Sequence, residues 1–117
     1  MASKKLTLTR VDGEVVCERC TLADSPVARM RGLLGRDGLE QGEGLLLRPA
    51  SSVHTWFMRF PIDVVFLDRE LVVVGIANEV EPWRAAGRRG AKAALELPAG
   101  EAARRGLSVG DQLKLAA

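Results

Sequence analysis

A chain of 117 residues, 47% of them hydrophobic, is long enough for one domain whose core needs no disulfide staple. The formal net charge is only +2 with acids and bases interspersed, which argues against a concentrated basic face, so nucleic acid is not an expected partner. No stretch approaches the ~20 apolar residues of a membrane span. The leading Met1-Ala2-Ser3-Lys4-Lys5 carries no apolar signal core, so the expected location is the cytoplasm. Residues 1–117 are read as a single domain, with 1–4 expected to be disordered. The densest basic cluster, Arg84, Arg88, Arg89 and Lys92, reads as a solvated loop.

Leu6 and Leu8 alternate with Lys5, Thr7 and Thr9, the pattern of a half-buried strand. Asp12-Gly13 is a hairpin-turn signal, and residues 14–22 return as a second strand. Ser25-Pro26 opens a short helix: Ser25 can cap it, and Pro26 suits the first helical position. Val27, Met30, Leu33 and Leu34 fall on one helical face, and Gly35 can end the helix. Residues 45–47 form a short apolar strand stopped by Pro49. The aromatic and β-branched segment 53–60 reads as another strand, broken by Pro61.

Segments 62–67 and 71–77 are the most apolar pair, expected to be neighbours buried on both faces. Segment 81–90, with Pro82, Gly87 and Gly90, reads as an exposed loop. A strand over 91–97 follows, then a short helix over 101–105 ended by Gly106, and a last strand over 112–115. The expected fold is mainly β, α+β in detail. It is an antiparallel, barrel-like curled sheet of about seven to eight short strands with two short helices, a closure that removes free edges.

Three motifs carry a resemblance. They are Met30-Arg31-Gly32-Leu33-Leu34-Gly35-Arg36, the central segment from Ser52 to Asp68, and Ala94-Leu95-Glu96-Leu97-Pro98-Ala99-Gly100 with the later Val109-Gly110-Asp111. Together they resemble the domain of unknown function 192 family over about residues 15–115. The resemblance implies a compact β-rich, mostly prokaryotic protein and no established reaction. It marks His54, Met58, Pro61, Asp63, Glu96 and Asp111 as motif positions without assigning them roles.

Cys17-Glu18-Arg19-Cys20 has the spacing of a metal or thiol–disulfide motif. A structural zinc site needs four ligands, and the chain has one histidine and no second cysteine pair. In a regular strand the two thiols point to opposite faces, so they read as structural unless a bulge or turn at Glu18-Arg19 brings them together. His54 is the only histidine, and alternation would put it on one face with Trp56 and Met58. Such a mixture of aromatic surface, thioether and titratable group suits the wall of a small-molecule site.

Asp63 and Glu96 are each carboxyls embedded in an apolar strand, which is unfavourable unless they are paired or hydrogen-bonded. Arg59, His54 and the backbone donors freed near Pro61 are candidate partners for Asp63, which reads first as a brace of the Phe60-Pro61 corner and alternatively as an acid or base beside His54. Trp83, after Pro82, is either a contact residue or a lid on the core.

The nucleophile elbow, the Walker phosphate loop and the dinucleotide-binding fingerprint are all absent, so no cofactor is expected. The leading expectation is a small ligand- or peptide-binding or accessory domain with a cleft near residues 53–63. Its candidate residues are His54, Trp56, Met58, Arg59, Asp63 and Glu96. The alternatives are a hydrolase-like or proton-transfer enzyme using His54 with Asp63 or Glu96, a metal or thiol site at Cys17 and Cys20, and a protein–protein adaptor.

Overall fold

The computed structural model describes residues 5–25, 28 and 32–116 and is built mainly of strands. In chain order these are β1 (Lys5–Arg10), β2 (Val15–Ala23), β3 (Glu43–Leu47), β4 (Ser52–His54), β5 (Ile62–Leu67), β6 (Val73–Val80), β7 (Ala85–Gly87) and β8 (Ala93–Pro98). Helix α1 (Glu101–Arg104) and β9 (Leu113–Ala116) complete the chain. The expected residue 1–4 tail lies outside the described residues, as does most of the helix expected after Ser25, including Pro26, Val27 and Met30. What is described there fits a cap: the Ala28 N–H donates to Ser25 Oγ at 3.1 Å.

Seven strands form one sheet in the order β6-β5-β8-β3-β2-β1-β9. Its inner core collects buried side chains from every one of them, among them Leu8, Val16, Leu46, Val65, Val73, Leu95 and Leu113. Side chains from both ends of a seven-stranded sheet meet in one cluster because the sheet curls. The curl expected from sequence is therefore present, but the sheet is mixed rather than antiparallel. β2 and β3 run parallel, since the crossover of residues 24–42 brings the chain back to the same end. Nor does a continuous ladder close a barrel. The edge strands meet at a single bridge, Val72–Gln112, supported by the Leu113 N–H donating to the Leu71 carbonyl at 2.9 Å.

The outer face of the sheet carries a second core. Leu45, Leu47, Val64, Phe66 and Ala94 pack there under Leu33, Val53 and Met58. A separate two-stranded sheet, β4 with β7, supplies part of this cover. β5 lies between the two cores and is buried at all six positions, Asp63 included, as expected of one member of the most apolar strand pair.

Two sequence expectations need correction. The expected strand over 53–60 ends at His54. Phe57 takes a left-handed backbone with φ 66°, and the Met58 N–H bonds back to the Thr55 carbonyl at 3.2 Å, so the chain turns. The expected loop 81–90 contains β7, which pairs with β4. Among the described residues α1 is the one helix assigned as an element.

Candidate functional site

The site begins with the alternation of β8. Leu95 and Leu97 point into the inner core, so Glu96 between them points outward. In register it lies between Leu45 of β3 and Val64 of β5, both apolar. Its side chain is buried to 4% exposure. Among the described residues no hydrogen bond or ion pair reaches its carboxyl group. Burial without a partner disfavours the charged form and pushes the Glu96 pKa up to about 7.

Glu96 opens onto a cavity of about 740 Å³. Leu47 shares its floor. Segments 32–34 and 49–53 line it too, together with His54, Trp56, Phe57 and Met58. The chain leaves β3 toward this wall through a cis Arg48–Pro49 peptide. The His54 and Trp56 rings stack with centroids 4.7 Å apart. Phe57 packs against Trp83 at 4.7 Å in a tilted arrangement. Trp56, Phe57 and Trp83 nevertheless keep 50%, 69% and 56% of their surface exposed.

One buried residue holds this aromatic wall. Thr55, with no exposed surface, ties residues 55–58 to residues 81–84. Its hydroxyl donates to the Glu81 carbonyl at 2.6 Å and accepts from the Arg84 N–H at 2.9 Å. Its carbonyl accepts from the Trp83 N–H at 2.9 Å. Trp83 also takes a left-handed backbone, with φ 67°. Thus two exposed aromatics sit in backbone conformations that bulky residues rarely adopt.

The structure brings together His54, Trp56, Met58 and Glu96 and separates Asp63 and Arg59 from them. Register pairs Asp63 with Leu97, and Val64 with Glu96, so the two carboxyls lie on opposite faces of the sheet. Asp63 is fully buried and satisfied by two backbone donors: the Glu79 N–H at 2.8 Å and the Ala102 N–H at 2.9 Å. Gly100 at the start of α1 has no side chain to cap the helix, and Asp63 takes that place from β5. It braces α1 and β6 rather than orienting His54. Arg59 pairs with Asp37 at 2.8 Å on the surface. Strand alternation from His54 would put Phe57 on the opposite face. It joins the wall because the chain turns at that residue, a conformation with no residue-type signal for an aromatic.

The cysteine pair also departs from the regular-strand expectation. β1 aligns Leu6 with Cys20 and Leu8 with Cys17, so Thr7 stands opposite two residues, Glu18 and Arg19. This β-bulge turns both thiols into the inner core. The Cys17 thiol donates to the Gly42 carbonyl at 3.4 Å. Its hydrogen bond with Cys20, together with burial, pushes the Cys20 thiol far up. Among the described residues no group of three or more His, Cys, Asp or Glu side chains gathers as a metal site. No described helix is long and apolar enough to cross a membrane.

A second charged cluster is structural. Arg105 reaches Glu18 at 2.7 Å and Glu101 at 3.1 Å, and Glu101 also pairs with Arg104. The Gly42 N–H donates to Glu101 at 3.4 Å, which fastens the start of β3 to α1. The guanidinium of Arg105 holds the Glu18 carboxyl below its usual range.

Comparison with known proteins agrees with this architecture. A solved protein of unknown function from Novosphingobium aromaticivorans shares 27% identity over 96% of this chain and 84% of its own, with a TM-score of 0.81. One from Sinorhizobium meliloti, described with a proposed role as a transcription regulator, has a TM-score of 0.84 at 24% identity, over 97% of this chain and 94% of its own. That likeness concerns the fold alone. A UPF0127 protein from Thermococcus sibiricus is 30% identical over 113 residues, covering 92% of this chain and 73% of its own length. Residues 7–115 match the family DUF192, described as "Uncharacterized ACR", and the chain belongs to that family.

Proposed function

We propose that this protein is a small ligand-binding domain whose site is the cavity between the outer face of β8 and the aromatic wall of residues 54–58. The observation that carries this reading is Glu96, a buried carboxyl with no described partner, opening into a cavity of about 740 Å³. Small-molecule sites combine that size with apolar walls and a few convergent polar groups. Here Leu33, Leu34, Leu47 and Met58 supply apolar surface, and Glu96 and His54 supply the polar groups. The left-handed Phe57 and Trp83 add support, because backbone strain of this kind concentrates at binding sites.

Of the six candidate residues, His54, Trp56, Met58 and Glu96 form the proposed site, with Phe57 added. An acid–base enzyme reading would rest on His54 and Glu96, without Asp63. A transcription-related role like the one proposed for the Sinorhizobium protein finds little support in a surface of net charge +2.

The test is a proton–nitrogen NMR titration against a mixed metabolite library. Binding at the site shifts the amides of 54–58 and 96 and the indole signal of Trp56, and leaves β1 and β9 unmoved. A library that moves none of these signals refutes the reading.

A further inference from the structure

We infer that the cavity selects an organic cation, an ammonium group carried on an apolar or aromatic body, with Glu96 as its counter-ion and the aromatic wall as its second contact. This inference rests on the ligand-binding reading and names the class of ligand.

Charge decides the class. Glu96 is the one acidic or basic residue among the described cavity-lining residues, with His54 the other titratable group there. Its register neighbours Leu45 and Val64 offer it nothing. A bound carboxylate or phosphate would meet a buried acid with no lysine or arginine among the described lining residues, which is repulsive. A neutral hydroxyl or amide can hydrogen-bond the carboxyl but leaves the charge of its ionised form uncompensated. An ammonium group supplies both the opposite charge and the hydrogen-bond donors that the carboxyl lacks, in a setting where such bonds are strongest.

The wall favours the same class. The stacked His54–Trp56 pair and Phe57 present aromatic surface on one side of the cavity. Aromatic faces attract cations, and their edges and the neighbouring Leu47 and Met58 accept an apolar body. The core does not account for their exposure, half or more of each residue, since Phe57 and Trp56 stand outside both buried clusters. A cation also draws the proton off Glu96. With burial raising that carboxyl to about 7, binding near neutral pH is accompanied by proton release.

The experiment is calorimetry with three probes of one shape: phenethylammonium, 2-phenylethanol and phenylacetate. Each is titrated into the wild-type protein and Glu96→Gln, with the NMR signals of Trp56 and Phe57 followed in parallel. Phenethylammonium is expected to bind about tenfold or more tightly than the alcohol, the strength of a hydrogen-bonded charge pair. Phenylacetate is expected to be the weakest.

Glu96→Gln, which keeps the shape of the neutral acid, is expected to abolish the ammonium preference, so that the ammonium binds no more tightly than the alcohol. Repeating the ammonium titration in two buffers of different ionisation enthalpy is expected to reveal the released proton in the wild type and none in the variant. A wild type that binds alcohol or acid as tightly as ammonium overturns the inference while the ligand-binding reading stands. So does a variant that keeps the ammonium preference. If none of the three probes moves Trp56 or Phe57, the inference falls, and the metabolite-library titration alone decides the ligand-binding reading.

Discussion

Replacing Glu96 by Gln is expected to stabilise the protein, by an amount that depends on pH. Burial raises the Glu96 carboxyl from an ordinary value of 4.5 to about 7. Between those values the folded chain keeps a proton that the unfolded chain has lost. The unfolded state then binds fewer protons, so stability falls as pH rises through this window. The difference of about 2.5 in pKa, at 1.36 kcal/mol each, corresponds to roughly 3 kcal/mol.

Below pH 4.5 the carboxyl is neutral in both states and the penalty is absent; above pH 7 it is complete. Glu96→Gln has no such ionisation. The two proteins should therefore be about equally stable at pH 4, and the variant should be more stable by roughly 3 kcal/mol at pH 8. Glu18, held low by Arg105, gives the opposite trend in acid, but both proteins share it and it cancels in the difference. Guanidinium denaturation at pH 4, 5, 6, 7 and 8, with midpoints and slopes compared, measures the gap. Parallel stability profiles for the two proteins would refute the claim that Glu96 is buried without a partner.

Three further substitutions or reactions probe the remaining geometry. Thr55→Val keeps the shape but strands the Arg84 N–H and the Glu81 carbonyl, and is expected to destabilise by about 1–3 kcal/mol. The Trp83 indole signal should move with it, because residues 81–84 lose their tie to the Thr55 hydroxyl. Asp63→Ala removes the acceptor of the Glu79 and Ala102 N–H groups, for an expected loss of roughly 2–4 kcal/mol in denaturant melts. Ligand affinity in the folded fraction should be unaffected, since Asp63 faces away from the cavity. Cys17 and Cys20, at 0% and 1% exposure, should resist an aromatic disulfide reagent in the native protein, and both should react after unfolding.

Where local pattern decides, the sequence was readable. Asp12-Gly13 does join β1 to β2, and the apolar runs around Asp68-Arg69-Glu70 do form the antiparallel β5–β6 pair. Helix α1 follows Gly100, as the Pro98-Ala99-Gly100 turn suggested. What local pattern could not supply was pairing across distance. The parallel β2–β3 ladder depends on where a long crossover lands, and three-residue β7 exists because β4 lies beside it. The bulge opposite Thr7 inverts the facing of the cysteines without any glycine or proline to announce it.

The two carboxyls show the same limit within the site. Asp63 and Glu96 have the same sequence signature, an acid between apolar strand residues. Their fates diverge through register. Asp63 aligns with Leu97, one place beyond Glu96, and a one-residue offset changes the face in a strand. That places Asp63 beneath the N–H groups of α1 and leaves Glu96 facing the cavity.

The distribution of unfavourable features then becomes informative. Four described non-glycine residues have a left-handed backbone: Phe57, Leu71, Glu79 and Trp83. Leu71 closes the β5–β6 turn, its N–H bonding the Asp68 carbonyl at 3.0 Å, and the Glu79 N–H is held by Asp63. Those two serve the fold. Phe57 and Trp83 serve no buried cluster, yet each bears strain on the order of 1–3 kcal/mol and an exposed ring.

The unpaired Glu96 lies on the same outer side. The other two buried acids, by contrast, are engaged: Asp63 by the Glu79 and Ala102 N–H groups and Glu101 by Arg104 and Arg105. A sequence shaped for stability alone would place Gln or Leu at 96 and a smaller residue at 57. Retention of both on one side of the sheet, around one cavity, is what a binding site looks like when stability is supplied elsewhere. The Glu96→Gln and probe titrations together separate this from accident: a site requires the same substitution that stabilises the fold to abolish selection for charge.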